Sequence, residues 1–162
     1  MMTESQQIVL PLPYGSIKQL LLVISQDTLQ SISMSFEHQA ITASSARIPA
    51  QLSDITQQLC QYSKQAHNNW SIDFPETGTD FQRRVWRYLQ TIPMGTTQSY
   101  GEVAKVLNSS ARAVGNACRA NPYLLVIPCH RVVKSNNIGG FGGKIDGEAI
   151  AIKQWLLAHE RE

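Results

Sequence analysis

The segment from Leu124 to Val133, LLVIPCHRVV, decides what fold and chemistry we expect of this chain. Its first four residues are apolar, and a short apolar run that ends at a proline predicts a buried β-strand. The strand should end at Pro128, because proline donates no hydrogen bond to a sheet. Cys129 and His130 follow at once, so a thiol lies beside a potential base. This arrangement is typical of a nucleophile, although a free cysteine is also often an inert core residue.

Composition excludes several classes of protein. The chain has 162 residues, of which 43% are hydrophobic, enough for one domain of ordinary size or two small ones. It has no apolar run of about 18 residues, so we expect no transmembrane helix. Its N-terminus has no basic segment before an apolar stretch, so we expect no secretory signal. Three cysteines without CxxC spacing do not indicate a disulfide framework, and we expect a cytoplasmic protein.

The charges are divided unevenly along the chain. Residues 1–74 contain three Lys/Arg and five Asp/Glu, a net charge of −2, whereas residues 75–162 contain eleven and seven, a net charge of +4. The basic excess therefore lies in the half that contains Cys129. It suits an anionic partner such as nucleic acid, but an ordinary solvated surface explains it equally well.

The first half has the pattern of a small α+β unit. Residues 18–25 and 28–36 predict two strands of a hairpin joined at Gln26-Asp27, and residues 51–66 have the apolar spacing of an amphipathic helix. Residues 73–79 have the composition of a linker. We therefore expect an N-terminal α+β domain at residues 1–73 and a second domain at residues 74–162.

The second half is predicted to be mainly helical. Thr79 or Asp80 caps a first helix, and the S-x-x-E capping box at Ser99–Glu102 opens a second one that ends near Leu107. A further helix at residues 111–120 follows a tight turn, so the pair predicts a helix-turn-helix. The last helix, residues 147–160, is expected to bury Ile150, Trp155 and either Leu156 or Leu157. The glycine-rich residues 136–143 are expected to form a flexible loop.

The helix at residues 111–120 has two features that suit DNA. Arg112, Asn116 and Arg119 lie at i, i+4 and i+7, so they form one polar and basic face. Ala113 and Gly115 are small and permit another backbone to approach closely. Packing against a neighbouring helix explains the small residues equally well.

The thiol needs a base or a positive field, since an ordinary cysteine is mostly protonated at neutral pH. His130 is the obvious base, but adjacent side chains diverge, so a bridging water or a tight turn after Pro128 is needed. An orienting carboxylate is also expected, and the sequence alone does not choose among Glu102, Asp146, Glu148 and Glu160. Cys118, Cys129 and His130 lack the spacing of zinc ligands, so we expect no metal.

The segment IPCHRVV at 127–133 resembles the active-site motif of the O6-alkylguanine-DNA alkyltransferases, the methylated-DNA–protein-cysteine methyltransferases. The resemblance extends over residues 74–162. It includes SYGEVA at 99–104, ARAVG at 111–115, Asn121-Pro122 and WLLAHE at 155–160. The first half of the chain matches mainly in size and in the order of its elements.

The resemblance implies a role for each residue of the catalytic motif. Cys129 would accept the alkyl group, His130 would take its proton through a water, and Glu160 would orient His130. Asn121 would hold the turns of the active site together. Tyr100 would protonate, or form a hydrogen bond with, the departing guanine ring. Arg131 would be structural.

The resemblance also implies how DNA is bound. Arg112 would enter the duplex from the minor groove and fill the space of a flipped nucleotide, while Ala113 and Gly115 lie against the DNA backbone beside Asn116 and Arg119. Val132, Tyr100 and the backbone N–H of Gly142, where some relatives have serine, would border the base.

The implied protein is a monomer without cofactor or zinc. It has a ribonuclease H-like α/β domain followed by a mainly helical domain with a short β element. It would remove alkyl groups from O6-alkylguanine, and from O4-alkylthymine less well. Because a thioether has no carbonyl for water to attack, each molecule would act once. A cysteine hydrolase and a non-catalytic helix-turn-helix DNA-binding protein are the alternatives.

Overall fold

The computed structural model describes residues 5–14, 17–35, 50–67, 70–72 and 75–162. Phe36, at the end of the second predicted strand, and Asp73 and Phe74, in the predicted linker, lie outside these residues. The chain divides into two compact units, Met1–Pro75 and Glu76–Glu162. No helix in the described ranges is long and apolar enough to cross a bilayer.

In its described residues, the first unit contains a three-stranded antiparallel sheet and one helix. Its elements are β1 (Gln6–Tyr14), β2 (Ile17–Ser25), β3 (Thr28–Ser35) and α1 (Ala50–Lys64), and the strand order is β1-β2-β3. Gln26 and Asp27 have φ of 51° and 57°, which is the geometry of a two-residue hairpin turn. The predicted hairpin and the helix are thus confirmed.

Strand β1 was not predicted from the sequence. It contains Pro11 and Pro13, and proline argues against a strand unless the strand lies at an edge. Among the described strands β1 pairs with β2 alone, at the edge of the order β1-β2-β3, and its register shifts between Pro11 and Tyr14. The core of this unit is formed by alternate residues of β2 and β3 and one face of α1, namely Leu20, Leu22, Ile24, Leu29, Ile32, Leu52, Ile55, Leu59 and Tyr62.

The second unit contains four helices and two short strands. They are α2 (Asp80–Leu89), β4 (Gln98–Ser99), α3 (Tyr100–Val106), α4 (Ala111–Arg119), a 3₁₀ turn (Cys129–Arg131), β5 (Val132–Val133) and α5 (Glu148–His159). Each predicted helix is present to within two residues at either end. The observed fold is therefore a mixed α+β fold, as expected.

Capping residues set where these helices begin. Thr79 and Gln82 form a reciprocal capping box at α2, and Ser99 and Glu102 form the predicted one at α3. Ser110 caps α4 by accepting a hydrogen bond from the Ala113 N–H at 3.2 Å. The carboxylate of Glu102 is thus used in capping.

The parallel pairing of β4 with β5 positions the second unit's site. Gln98 pairs with Val132, and Ser99 pairs with Val133. Because the strands are parallel, Tyr100 follows the C-terminal end of β4 whereas the 3₁₀ turn with Cys129 precedes the N-terminal end of β5, so the two residues lie at opposite ends of a sheet only two residues long. Two short strands thereby join the two parts of the chain that contain the expected catalytic residues.

Helix α5 buries only part of the face predicted for it, because Leu156 and Leu157 are buried as expected but Ile150 and Trp155 are not. Ile150 and Trp155 are only half-buried, whereas Ala149, Ile152, Lys153, Leu156 and Leu157 are buried. The prediction treated the largest apolar side chains as the core. The structure instead places a lysine on the buried face of the helix.

Candidate active site

The predicted strand at Leu124–Ile127 is wrong, because these residues form a buried turn. The Ile127 N–H donates to the Tyr123 carbonyl at 3.0 Å, and Leu125 has a φ of 73°. A leucine in this left-handed conformation costs about 1–2 kcal/mol, and burial of its side chain offsets the cost. Burial explains the apolar composition, which a strand and a buried turn share.

Cys129 lies on a tightly wound backbone. Pro128 has φ −81° and ψ 64°, an inverse γ-turn in which the Cys129 N–H donates to the Ile127 carbonyl at 2.8 Å. The Arg131 N–H then donates to the Pro128 carbonyl at 3.0 Å, which closes the 3₁₀ turn. A tight turn after Pro128, one of the two geometries considered from the sequence, is therefore present.

Asn121 connects the turn to the thiol. Its side-chain amide donates to the Ile127 carbonyl at 2.8 Å and to the Cys129 sulfur at 3.3 Å, while its Oδ1 accepts from the Tyr123 N–H at 2.9 Å. One side chain thus fixes both ends of the turn and contacts the sulfur. Burial raises the pKa of Cys129, and the Asn121 hydrogen bond and the charge of Lys153 oppose that rise.

His130, Arg131 and Glu160 form a buried charged cluster. His130 Nε2 is 2.7 Å from Glu160 Oε1, Arg131 Nη2 donates to the same oxygen at 2.8 Å, and Arg131 Nε donates to Oε2 at 2.9 Å. Arg131 also donates to the Ile92 carbonyl at 2.7 Å. Of the four candidate carboxylates, Glu160 is therefore the one in contact with His130.

The electrostatics of this cluster give each group a protonation state. Burial would raise the pKa of Glu160, but hydrogen bonds from His130 and Arg131 bring it well below its usual range, so Glu160 is ionised. Burial lowers the pKa of His130, so its ring is neutral at pH 7. A neutral ring that faces a carboxylate through Nε2 carries its proton there. Nδ1, which has no protein partner among the described atoms, is then an available acceptor.

Tyr100 lies between α4 and the glycine-rich loop. A Cβ atom on Gly115 would lie 3.9 Å from the Tyr100 ring, and one on Gly139 would lie 3.1 Å from it. Only glycine fits at position 139, where φ is also 75°. Burial raises the pKa of Tyr100, so its phenol is protonated throughout the physiological range.

Two cavities meet at Tyr100, Gly115 and Gly140. The larger has a volume of about 530 Å³ and is lined also by Ser99, Gly101, Ala111, Arg112, Lys134, Ser135 and Asn136. The smaller, of about 150 Å³, is lined also by Cys118, Arg119, Cys129 and the residues from Phe141 to Ile145. We call the smaller one the thiol cavity. A group bound in the larger cavity is thus adjacent to the space in front of Cys129.

Comparisons with known proteins agree with this geometry. Residues 80–162 match the model of the 6-O-methylguanine DNA methyltransferase, DNA binding domain. A methylated-DNA–protein-cysteine methyltransferase of Salmonella typhimurium is 40% identical over 137 residues, which cover 81% of this chain and 74% of the relative. The chain belongs to the methylated-DNA–protein-cysteine methyltransferases. A relative with the same name from Mycolicibacterium paratuberculosis is 44% identical over 116 residues, 70% of this chain and 67% of that one.

Solved structures extend the comparison to nearly the whole chain. Mycobacterium tuberculosis OGT in complex with DNA is 32% identical, with a TM-score of 0.75 over 97% of this chain and 92% of that one. An O6-methylguanine DNA methyltransferase of Methanococcus jannaschii, at 23% identity and a TM-score of 0.67, covers 95% of this chain and 93% of that one and shares the fold.

In this methyltransferase, helix α4 presents the polar residues predicted for it. Arg112, Asn116 and Arg119 are exposed, and Ala113 and Gly115 are half-buried. Val114 and Ala117 are buried, and the Ala117 carbonyl accepts a hydrogen bond from the Trp86 side chain at 2.8 Å. The buried face of α4 thus packs against α2, and the face with the arginines is accessible.

The glycine-rich loop of this methyltransferase ends in a defined turn. Phe141 and Lys144 exchange backbone hydrogen bonds of 2.9 Å, and Gly142 and Gly143, with φ of 57° and 77°, occupy the two corners. These are the features of a two-residue type I′ turn. The end of the glycine-rich segment therefore has the geometry of a tight turn, and the buried Phe141 side chain anchors it.

Sequence reasoning missed two residues of the site. Lys153 is fully buried and donates hydrogen bonds to the Val132 carbonyl at 2.6 Å and the Gly140 carbonyl at 2.9 Å. Cys118 lines the thiol cavity, and burial raises its pKa. For Lys153, the signal available in the sequence was a lysine on the otherwise apolar face of α5. Nothing in the sequence distinguishes Cys118 from a core cysteine.

Proposed function

We propose that Cys129 removes the alkyl group from O6-alkylguanine in DNA and keeps it as a thioether. As a member of its family the chain repairs DNA by alkyl transfer to a cysteine. The observation that supports Cys129 as the acceptor is its position. Its sulfur contacts Asn121 at the wall of the thiol cavity, next to a neutral histidine that is bound to an ionised carboxylate.

The proton of the thiol would pass to His130. Nδ1 is the acceptor that the Glu160 contact leaves available, and a bridging water would carry the proton to it from the sulfur. The imidazolium so formed is stabilised by the Glu160 carboxylate, which Arg131 holds in place. This route would deprotonate the Cys129 thiol even though burial favours its neutral form.

The thiolate would then displace guanine from the alkyl carbon. A sulfur–carbon bond forms, the carbon–oxygen bond breaks, and the electron pair leaves with the guanine ring. Tyr100 is suited to donate a hydrogen bond to that ring, because burial keeps its phenol protonated and it lines both cavities. Protonation of the ring by Tyr100 is the alternative that the family resemblance implies. A thioether resists hydrolysis, so each molecule would act once.

We infer that DNA binds across α3 and α4 through its minor groove. The target base must leave the duplex, which costs a few kcal/mol. Arg112 is exposed on the rim of the larger cavity, where it would fill the space of the flipped nucleotide. The half-buried Ala113 and Gly115 permit the DNA backbone to approach, and the exposed Asn116 and Arg119 would contact its phosphates.

The larger cavity is the proposed pocket for the flipped base. Tyr100 lines both this cavity and the thiol cavity, and Gly142, which lines the thiol cavity, would offer its backbone N–H to the base there. The buried Val132, whose carbonyl accepts a hydrogen bond from Lys153, would border the base from behind. We propose O4-alkylthymine as a secondary substrate, because its alkyl group is also attached to a ring oxygen.

Further features of the molecule are part of the same proposal. Residues 1–73 would form an N-terminal domain and residues 74–162 the domain that binds DNA and accepts the alkyl group, which agrees with the two compact units. A ribonuclease H-like arrangement of the first domain is supported by its antiparallel β1-β2-β3 sheet followed by a helix. We propose a monomer in the cytoplasm, where the three free cysteines would stay reduced.

The decisive experiment is incubation of the protein with a duplex oligonucleotide that contains one O6-methylguanine. We expect one methyl group on the peptide that contains Cys129, and a reaction that stops at one equivalent. Cys129→Ala should abolish transfer and leave DNA affinity nearly unchanged, and Cys60→Ser, in α1 of the first unit, is the matched control. Transfer by Cys129→Ala would refute the assignment, turnover on esters or amides would favour a hydrolase, and binding without transfer would favour a regulator.

Arg112→Ala tests the base-flipping step separately. It should slow the repair of duplex DNA more than the reaction with a free O6-alkylguanine base, since the free base needs no extrusion. Equal losses on both substrates would remove the proposed role of Arg112.

A further inference from the structure

Lys153 is a buried cation between two segments of the active site. Its ammonium donates to the Val132 carbonyl, directly after the 3₁₀ turn, at 2.6 Å and to the Gly140 carbonyl, in the glycine-rich loop, at 2.9 Å. Gly140 lines both cavities. The two carbonyls belong to one stretch of chain, residues 132–140, and this side chain from α5 holds its two ends together.

The position of this lysine in α5 is energetically costly. Lys153 is 0% exposed and shares its helix face with Ala149, Ile152 and Leu156. Desolvation of an ammonium costs several kcal/mol, whereas a methionine of similar length would be buried without that cost. Among the residues that the structure describes, no carboxylate forms an ion pair with it. The dipoles of backbone carbonyls therefore provide most of the stabilisation that offsets the desolvation of the Lys153 ammonium.

The groups around Lys153 belong to the proposed reaction. Its Nζ lies 5.9 Å from the centre of the Tyr100 ring of α3. Electrostatic interactions connect it with Cys118 of α4, and with Cys129 and His130 of the 3₁₀ turn. Arg131, the other buried cation in this region, is paired with Glu160. Of these two buried cations, Lys153 is therefore the one whose charge acts on the thiols of Cys118 and Cys129.

Lys153 retains enough charge to act on the thiol. Burial lowers its pKa to about 8, so most molecules hold an ammonium at pH 7. That charge lowers the pKa of Cys129 against the larger effect of burial. A nearby cation stabilises a thiolate in the same way at other reactive cysteines.

We propose that Lys153 is a positioning residue for alkyl transfer. Its ammonium holds the Val132 and Gly140 backbone segments together beside the thiol cavity and supplies the positive charge that favours the Cys129 thiolate. This inference rests on the proposed role of Cys129 as the alkyl acceptor. It adds a second source of thiolate stabilisation beside the proton transfer to His130.

The test measures thiolate formation without DNA. Iodoacetamide reacts with the thiolate, so its rate at the Cys129 peptide, followed by mass spectrometry from about pH 5 to about pH 10, reports the thiolate fraction. Lys153→Met removes the charge at similar volume, Lys153→Gln removes the charge but keeps an N–H donor, and Lys153→Arg keeps the charge. Gln154→Met, at the next and exposed position of α5, is the matched control.

We expect Lys153→Met and Lys153→Gln to react about tenfold more slowly than the parent protein at pH 7, which is the effect of one pKa unit. The difference should shrink above about pH 8, where Lys153 of the parent protein loses its own proton and its charge. Lys153→Arg should restore most of the neutral-pH rate, and Gln154→Met should leave the profile unchanged. If Lys153→Met does not fold, the comparison of Lys153→Gln with Lys153→Arg tests the proposal instead.

A structural role alone gives a different result. In that case the substitutions lower thermal stability but leave the pH profile of the Cys129 reaction unchanged, and this outcome overturns the proposal. Alkyl transfer from methylated duplex, measured on the same proteins, separates the two hypotheses. Absence of transfer by the parent protein refutes Cys129 as the acceptor, whereas normal transfer with unchanged profiles refutes only the role of Lys153.

Discussion

Replacement of Glu160 by glutamine tests the charged cluster behind the thiol. The two carboxylate oxygens face three donors, namely His130 Nε2, Arg131 Nε and Arg131 Nη2, at 2.7–2.9 Å. Glutamine has nearly the same shape, but its NH₂ group cannot accept a hydrogen bond. Whichever way the amide is turned, an N–H group therefore faces another donor. The variant also leaves Arg131, which is 0% exposed, without its counter-charge.

The expected loss of stability follows from that unpaired charge. Removal of one partner of a buried ion pair typically costs about 3–5 kcal/mol. We expect the free energy of unfolding of Glu160→Gln, measured by urea denaturation, to fall by that amount. Glu148→Gln, at an exposed position in the first turn of the same helix, should cost less than about 0.5 kcal/mol.

Activity and stability are separated by a second substitution. Loss of Glu160 should also slow single-turnover alkyl transfer at pH 7 by about 10²-fold or more, because the His130 imidazolium loses its counter-charge. The double variant Arg131→Met/Glu160→Gln no longer buries an unpaired charge. It should recover much of the stability while transfer remains slow. A Glu160→Gln protein that loses less than about 1 kcal/mol, or transfers at the parent rate, would refute the proposed cluster.

Three further predictions concern the same unit. Asn121→Ala should lower the free energy of unfolding by about 1–3 kcal/mol, measured by urea denaturation, and slow transfer, because two backbone groups and the sulfur lose their partner. Gly143→Ala should destabilise more than Gly142→Ala in thermal melts: both have positive φ, but a Cβ on Gly143 would lie 2.9 Å from Arg119 Nε, whereas one on Gly142 meets nothing within 4 Å. Stability should fall with acidification, because the folded protein lowers the pKa values of His130 and Glu160, so that both groups bind protons more readily in the unfolded chain. Denaturation midpoints should decline first below about pH 6.5, where His130 is protonated in the unfolded chain, and further below about pH 4.5, where Glu160 is. A flat profile would contradict this.

Much of the second unit was predictable because its signals are local. A capping box, a positive-φ turn residue and an apolar helical spacing each act within a few residues, so the bounds of α2, α3 and α4 were close to those observed. The same applies to the hairpin at Gln26-Asp27. Strand β1 was missed because its two prolines argue locally against a strand, and its edge position is a property of the whole sheet.

The turn at residues 123–127 shows where local signals fail. Four consecutive apolar residues indicate burial but not backbone conformation. The conformation depends here on Asn121, whose side chain binds both ends of the turn, and on a left-handed leucine that no propensity favours. The carboxylate partner of His130 could likewise not be chosen from spacing, because Glu160 is brought near by the packing of α5 against the 3₁₀ turn.

The buried charges around Cys129 have a common physical consequence. Burial of Arg131, Glu160 and Lys153 is costly, and apolar residues of similar volume would often give a more stable core. Each of these charges is fixed by hydrogen bonds to a neighbouring backbone carbonyl or to its partner, so it needs no rearrangement when the thiol loses its proton. Fixed charges in a site with little water stabilise a developing anion more than mobile water does. A protein that acts once, as proposed for this chain, gains nothing from rapid product release. A preformed environment for one thiolate therefore suits it better than a lid that opens and closes.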